Sequence, residues 1–211
     1  MNAISLLPKS TLAAAVLACC ATLAASAQAA VVTTTFASNN AARGNVFDVI
    51  VTNPLTISAF DINLDAGLTK EIFVYYRSGS WVGFETNLAG WLLAGSTTVT
   101  SAGLNMPTFV DIADFALGSG TSALYIATDG TTSAAIRYTT GSTSYGNGDL
   151  TIQAGAGTFG APGSAIAGQP RVWNGSIYYT TNAAQVPEPG SLALAGVALV
   201  GLLAARQRRK R

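Results

Sequence analysis

From residue 31 to residue 180 the chain sets apolar and polar side chains in short alternating runs, separated by glycine, asparagine and serine. Val31-Val32-Thr33-Thr34-Thr35-Phe36 opens the series. Phe47, Val49 and Val51 then alternate with Asp48, Ile50 and Thr52. After Asn53-Pro54, Phe60, Ile62 and Leu64 alternate with Asp61, Asn63 and Asp65. Further runs of this kind fall at 72–76, 91–100, 109–117, 123–128, 135–140, 150–153 and 171–180. A period of two, rich in Thr, Val, Ile and Tyr, belongs to half-buried strands. No segment of this region keeps an apolar 3.6-residue period for the length of a helix. The pattern predicts about nine or ten short strands without crossover helices, hence an all-β fold: an antiparallel β-sandwich, jelly-roll-like.

Turn chemistry divides the runs. Arg171-Val172-Trp173-Asn174-Gly175-Ser176-Ile177-Tyr178-Tyr179 reads as a hairpin. Asn-Gly between two apolar-rich arms suits a two-residue type I′ turn, whose central residues both need positive φ. Asp129-Gly130 and Asn147-Gly148 are read as turns as well, and the glycine-rich stretch 155–168 as a long surface loop.

The two ends break the pattern. Lys9 provides a positive start, residues 11–23 form an Ala/Leu/Val run, and Ala25-Ser26-Ala27 and Ala27-Gln28-Ala29 are overlapping small-x-small cleavage sites. This predicts a signal peptide over residues 1–29, handled by the Sec machinery and cut after Ala27 or Ala29. A retained anchor helix is the alternative. Val16-Leu17-Ala18-Cys19 also resembles a lipobox that would lipidate Cys19, although the apolar run continues past that cysteine. At the other end Val186-Pro187-Glu188-Pro189-Gly190 precedes an apolar run to Ala205 and then Arg206-Gln207-Arg208-Arg209-Lys210-Arg211. Residues 190–205 would make a helix of about 24 Å at roughly 1.5 Å per residue, short of the ~30 Å hydrocarbon core. That is enough for a transient stay in a bilayer and a poor permanent anchor. Arg206, Arg208, Arg209, Lys210 and Arg211 hold the terminus on the cytoplasmic side. Pro187 and Pro189 keep the backbone around Glu188 extended, open to a processing enzyme. The chain therefore divides into a leader (1–29), a β-sandwich domain (30–185) and a sorting segment (186–211) with a single short transmembrane helix.

In motif, apolar run and basic tail, residues 186–211 resemble the PEP-CTERM sorting signal of Gram-negative bacteria. The resemblance implies cleavage near Val186, Pro187, Glu188 and Pro189 by an exosortase-type membrane transpeptidase. It implies a transient stay in the inner membrane, and then release or attachment at the cell surface or in the extracellular matrix. The body is similar to a β-sandwich module of exported PEP-CTERM and related bacterial surface proteins. The segments that carry this are Ile57-Ser58-Ala59-Phe60-Asp61-Ile62-Asn63-Leu64-Asp65-Ala66-Gly67, Tyr75-Tyr76-Arg77-Ser78-Gly79-Ser80, Gly83-Phe84-Glu85 and Arg171-Val172-Trp173-Asn174-Gly175. That second resemblance supports the fold and brings no activity with it.

Composition narrows the chemistry. The body sets Arg43, Lys70, Arg77, Arg137 and Arg171 against nine acidic side chains, a net charge of −4, so the near-neutral total of the whole chain misleads. An acidic domain argues against nucleic acid as a partner, since phosphate binding needs clustered cations. Both cysteines, Cys19 and Cys20, fall in the leader, and the chain has no histidine. Thiol nucleophiles, thiolate or imidazole metal sites and the Ser-His-Asp arrangement are thereby excluded from the body. No cofactor is expected.

Four sets of residues remain as candidates. Asp61, Asn63 and Asp65 offer oxygen ligands for calcium, but the EF-hand spacing would place Gly and Glu where Ala66 and Ile72 stand. The apolar residues between them put all three on an outward, polar strand face. Asp111 and Asp114 form a second acidic pair of the same kind. Glu71 and Glu85 could serve as the two carboxyls of a glycosidase, with solvated surface carboxylates as the simpler reading. Trp81, set among small turn-forming residues, is expected to be partly exposed as a stacking platform for a sugar ring, with Arg77 and Glu85 bonding its hydroxyls. The alternative for Trp81 is a place in the core. The expected function is that of a non-enzymatic surface or matrix protein associated with exopolysaccharide or biofilm. A carbohydrate-binding module is the second reading and a carboxylate-based hydrolase the third.

Overall fold

The computed structural model describes residues 28–129 and 134–181, which belong to one compact unit spanning residues 27–182. The leader up to residue 27, Cys19 and Cys20, Gly130 and the sorting segment lie outside the described residues. Among the described residues there is no helix, and none is long and apolar enough to cross a membrane.

Two antiparallel sheets face each other. The smaller has four strands in the order β1 (Gln28–Thr33), β14 (Gly175–Thr181), β4 (Leu55–Asn63) and β7 (Pro107–Leu117). The larger runs β2 (Asn40–Ala42), β9 (Ile136–Thr140), β13 (Ile166–Trp173), β12 (Gly155–Thr158), β3 (Gly44–Val51), β8 (Gly120–Thr128), β5 (Thr69–Ser78) and β6 (Leu92–Thr100). A short hairpin of β10 (Tyr145–Gly146) and β11 (Leu150–Ile152) adds to it, β11 pairing with Val49, Ile50 and Val51 beyond the end of β12. The body is thus an antiparallel β-sandwich, as its alternation predicts.

The period-two residues build the main core. Phe60, Ile62, Val110 and Ile177 from the small sheet meet Phe47, Val49, Ile72, Val74, Leu124 and Ile126 from the large one, all buried. Trp173 lies among them, stacked on Phe47 at 4.8 Å between ring centres and edge-on to Phe60 at 6.3 Å. Each such side chain removed from water contributes about 1.5–3 kcal/mol. A second, smaller core sits on the outer face of the large sheet, where Val46, Ala123, Tyr125, Ala127 and Ala156 are covered by Trp81 and Trp91. Strands β3 and β8 are therefore buried on both faces, and β8 reads Ala-Leu-Tyr-Ile-Ala without polar interruption.

Two local expectations are corrected. Asn174-Gly175 does not close a hairpin: β13 and β14 belong to different sheets, and Asn174 is the buried residue at which the chain crosses between them. Its amide is held by Thr139, 3.0 Å from Nδ2 to Oγ1. Gly175 is required there because a Cβ would lie 2.2 Å from Trp173 Cζ2 and 2.3 Å from the Asp61 carbonyl oxygen. Nor is 155–168 one surface loop. Gly155–Thr158 is a buried strand between β3 and β13, and Ile166–Gly168 already belongs to β13. At Gly155 an added Cβ would sit 1.9 Å from the Val46 carbonyl oxygen. β1 begins at Gln28 opposite Thr181, so cleavage after Ala29 would remove its first two residues and cleavage after Ala27 would leave it whole. Asn147 behaves as read: its Oδ1 accepts from the amides of Asp149 and Leu150 at the tip of the β10–β11 hairpin.

Candidate functional site

Trp81 is buried, with only 6 % of its surface exposed, and offers no open platform. The segment 79–91 folds down onto the large sheet, turning at Gly79, Gly83 and Gly90, all with positive φ. Asp48, outward-facing on β3, fixes its start: the carboxylate accepts from Ser80 Oγ at 2.6 Å and from the Trp81 amide at 3.0 Å. The small residues around Trp81 serve this tight descent. Arg77 is equally committed. Its guanidinium lies 3.4 Å above the Phe84 ring centre and bonds the Ser80 carbonyl. Trp91 donates Nε1–H to the Phe84 carbonyl at 3.0 Å and packs edge-on against Tyr125. Glu85 is half-buried, and its carbonyl receives the Gly163 amide. Trp81, Arg77 and Glu85 thus form a covering layer for the second core.

The acidic candidates are separated too. On β4, Asp61 and Asn63 point away from the main core, and both are buried there. Asn63 is capped by the 101–106 turn. Its Oδ1 accepts from the Asn105 amide at 2.9 Å, and its Nδ2 donates to the Phe36 carbonyl and to Asn105 Oδ1. Asn105 pays for that position with a positive φ of 61°, and its Oδ1 also accepts from Ser38. Asp65 pairs with Arg137. Asp61 accepts from Tyr178. Three residues in register on the sequence are thus spent on three different partners. Among the described residues no group of three or more Asp, Glu, His or Cys gathers as a metal site. Glu71 accepts from Ser96 Oγ at 2.9 Å on the β5–β6 ladder, a setting different from that of Glu85 in the covering layer. Asp111 and Asp114 are exposed.

A surface that alternation alone did not single out lies on the outer face of the small sheet. The rung Val32–Ile177–Phe60–Val110 points into the core, so the rungs on either side of it point outward. One of these is Val31–Tyr178–Ala59–Asp111 and the other Thr33–Ser176–Asp61–Phe109. Phe109 is 56 % exposed and Val31 47 %. Phe109 meets Tyr178 edge-on, 5.9 Å between ring centres. Tyr178 donates its hydroxyl to Asp61 Oδ2 at 2.7 Å, and that carboxylate, with burial, raises the phenol above its ordinary pKa. Thr33 and Ser176 share a hydroxyl contact at 3.0 Å on the same rung. No lysine or arginine occurs in any of the four strands. The signal for Phe109 was present in the sequence as its place beside the inward Val110.

The described body is an all-β sandwich that precedes a C-terminal targeting segment in the chain. That segment is identified directly: residues 185–210 match the family model of the PEP-CTERM protein-sorting motif. The chain therefore carries a PEP-CTERM sorting motif, the mark of an exported protein held transiently at the membrane and processed there by an exosortase-type enzyme. Val186, Pro187, Glu188 and Pro189 and the basic residues Arg206, Arg208, Arg209, Lys210 and Arg211 lie within it, outside the described residues. No curated protein matches the chain in sequence.

Proposed function

We propose that the protein is a non-enzymatic component of the cell surface or extracellular matrix, delivered through the Sec machinery and its sorting motif and associated with exopolysaccharide. The observation that carries the reading is the sorting motif at 185–210 behind a sandwich with a complete core of its own. The test is Glu188→Ala in the producing cell. The expected result is an uncleaved precursor retained in the inner-membrane fraction. Release of the variant at the normal rate would remove the sorting step from the proposal.

The second reading, a carbohydrate-binding module, is favoured by the exposed Phe109–Tyr178 pair and no longer by Trp81.

A further inference from the structure

We propose that the outer face of the four-stranded sheet binds a neutral polysaccharide chain, with Phe109 and Tyr178 as its stacking surface and the exposed Asp111 as an acceptor for sugar hydroxyls. Phe109 sits on β7 and is more than half exposed, its ring in edge contact with Tyr178. Val31 continues the apolar surface across Tyr178 and the small Ala59. Exposed apolar patches rimmed by polar groups mark interaction sites. The rings are held in advance. Tyr178 is fixed by Asp61 and Phe109 leans on Tyr178, so little side-chain freedom is lost when a ligand arrives.

Charge selects the occupant. The face carries carboxylates and hydroxyls, with no cation in its four strands. Nucleic acids and acidic polymers would meet uncompensated repulsion. A neutral sugar chain fits both halves of the surface. Its polarised C–H groups suit the negative face of an aromatic ring. Its hydroxyl groups donate to the exposed carboxylate of Asp111, while Asp61 holds Tyr178 in place beneath them. This names the partner chemistry for the matrix role proposed above and depends on that reading only for where the polymer is met.

The experiment uses the purified body, residues 28–185, in affinity electrophoresis through gels containing a neutral glucan, a galactomannan or polygalacturonate. Saturable retardation by at least one neutral polymer and none by polygalacturonate is expected. Phe109→Ala should weaken it about tenfold or more, the loss typical of a central aromatic contact. Leu88→Ser, an exposed apolar residue outside these four strands, should leave it unchanged, and unaltered circular dichroism of both variants shows that the fold survives. Any one of three results overturns the proposal: no retardation by either neutral polymer, retardation that persists in Phe109→Ala/Tyr178→Ala, or preference for polygalacturonate. A Phe109-dependent dimer without sugar binding would overturn it in favour of a second copy of the chain. Binding in this assay stands or falls independently of whether Glu188→Ala blocks sorting.

Discussion

Asp48→Ala should open one layer of the molecule and leave the other closed. The carboxylate is buried on β3 and accepts two hydrogen bonds, from Ser80 Oγ at 2.6 Å and the Trp81 amide at 3.0 Å. Bonds to a charged acceptor contribute about 1.5–3 kcal/mol each. Partial rehydration of Ser80, which lies near the surface, brings the sum to about 3 kcal/mol. Against a typical domain stability of ~5–15 kcal/mol, that loss is survivable by the sandwich. It is large for a segment otherwise held by Trp81, Trp91 and Arg77 on the second core and by the backbone bonds of Gly79 to Thr121 and of Gly163 to Glu85. Native-state hydrogen exchange should therefore show amides in segment 79–91 exchanging on the order of a hundredfold faster, with protection unchanged at Phe60, Ile62 and Ile177. Tryptophan emission should shift to the red as Trp81 and Trp91 meet water. Asp48→Asn, which keeps an acceptor, should give a smaller effect. Equal loss of protection in both cores would refute the idea that the covering layer opens separately. Unchanged exchange in 79–91 would refute the role given to Asp48.

Two further outcomes follow from close packing and from buried phenols. Gly175→Ala drives a Cβ against Trp173 and the Asp61 carbonyl, neither of which can swing away, and should cost about 3 kcal/mol. An unchanged melting temperature would contradict that. In alkali the body should weaken as the pH climbs past 10. Burial pushes the Tyr125 hydroxyl up to about 12 from 10.0, with the neighbouring Thr158 hydroxyl working the other way and the nearby Tyr75 adding to the rise. The unfolded chain then loses its proton first, so the stabilisation is complete below about pH 10 and declines through pH 12, on the order of 2–3 kcal/mol for this group. Tyr178 and Tyr179 shift in the same direction. Urea midpoints measured from pH 9 to 12 would test this, and a flat profile would defeat it.

The strands that were legible are those whose side chains do the packing. Residues 47–51, 60–64 and 109–117 announce themselves because their apolar positions face a core. β12 was illegible for the opposite reason. Gly155-Ala156-Gly157-Thr158 has almost no side chain to show a period, and it is stripped bare because the backbones of β3 and β12 come so close. Asn174-Gly175 has the composition of a tight turn, but its glycine answers to the Trp173 ring, a contact formed only when the fold is complete. Trp81 misled through its neighbours: small residues permit a loop to stand out or to fold flat, and only the partner Asp48, far away in sequence, decides between them. The acidic triplet is a similar case, since each member's partner comes from a different part of the chain and none is visible from the local spacing. The ligand face escaped notice because alternation marks which residues point outward and says nothing of which outward residues gather.

The pairing of Gln28 with Thr181 has a mechanical consequence. Any tether left beyond Thr181 pulls along β14, a strand hydrogen-bonded on one flank to β1 and on the other to β4. Where that pull lies parallel to the strand, the rungs on both flanks are sheared together instead of being peeled in turn from a free edge. A body hung in flowing medium would then carry drag on an interior strand, while β1 at the rim bears none of it directly.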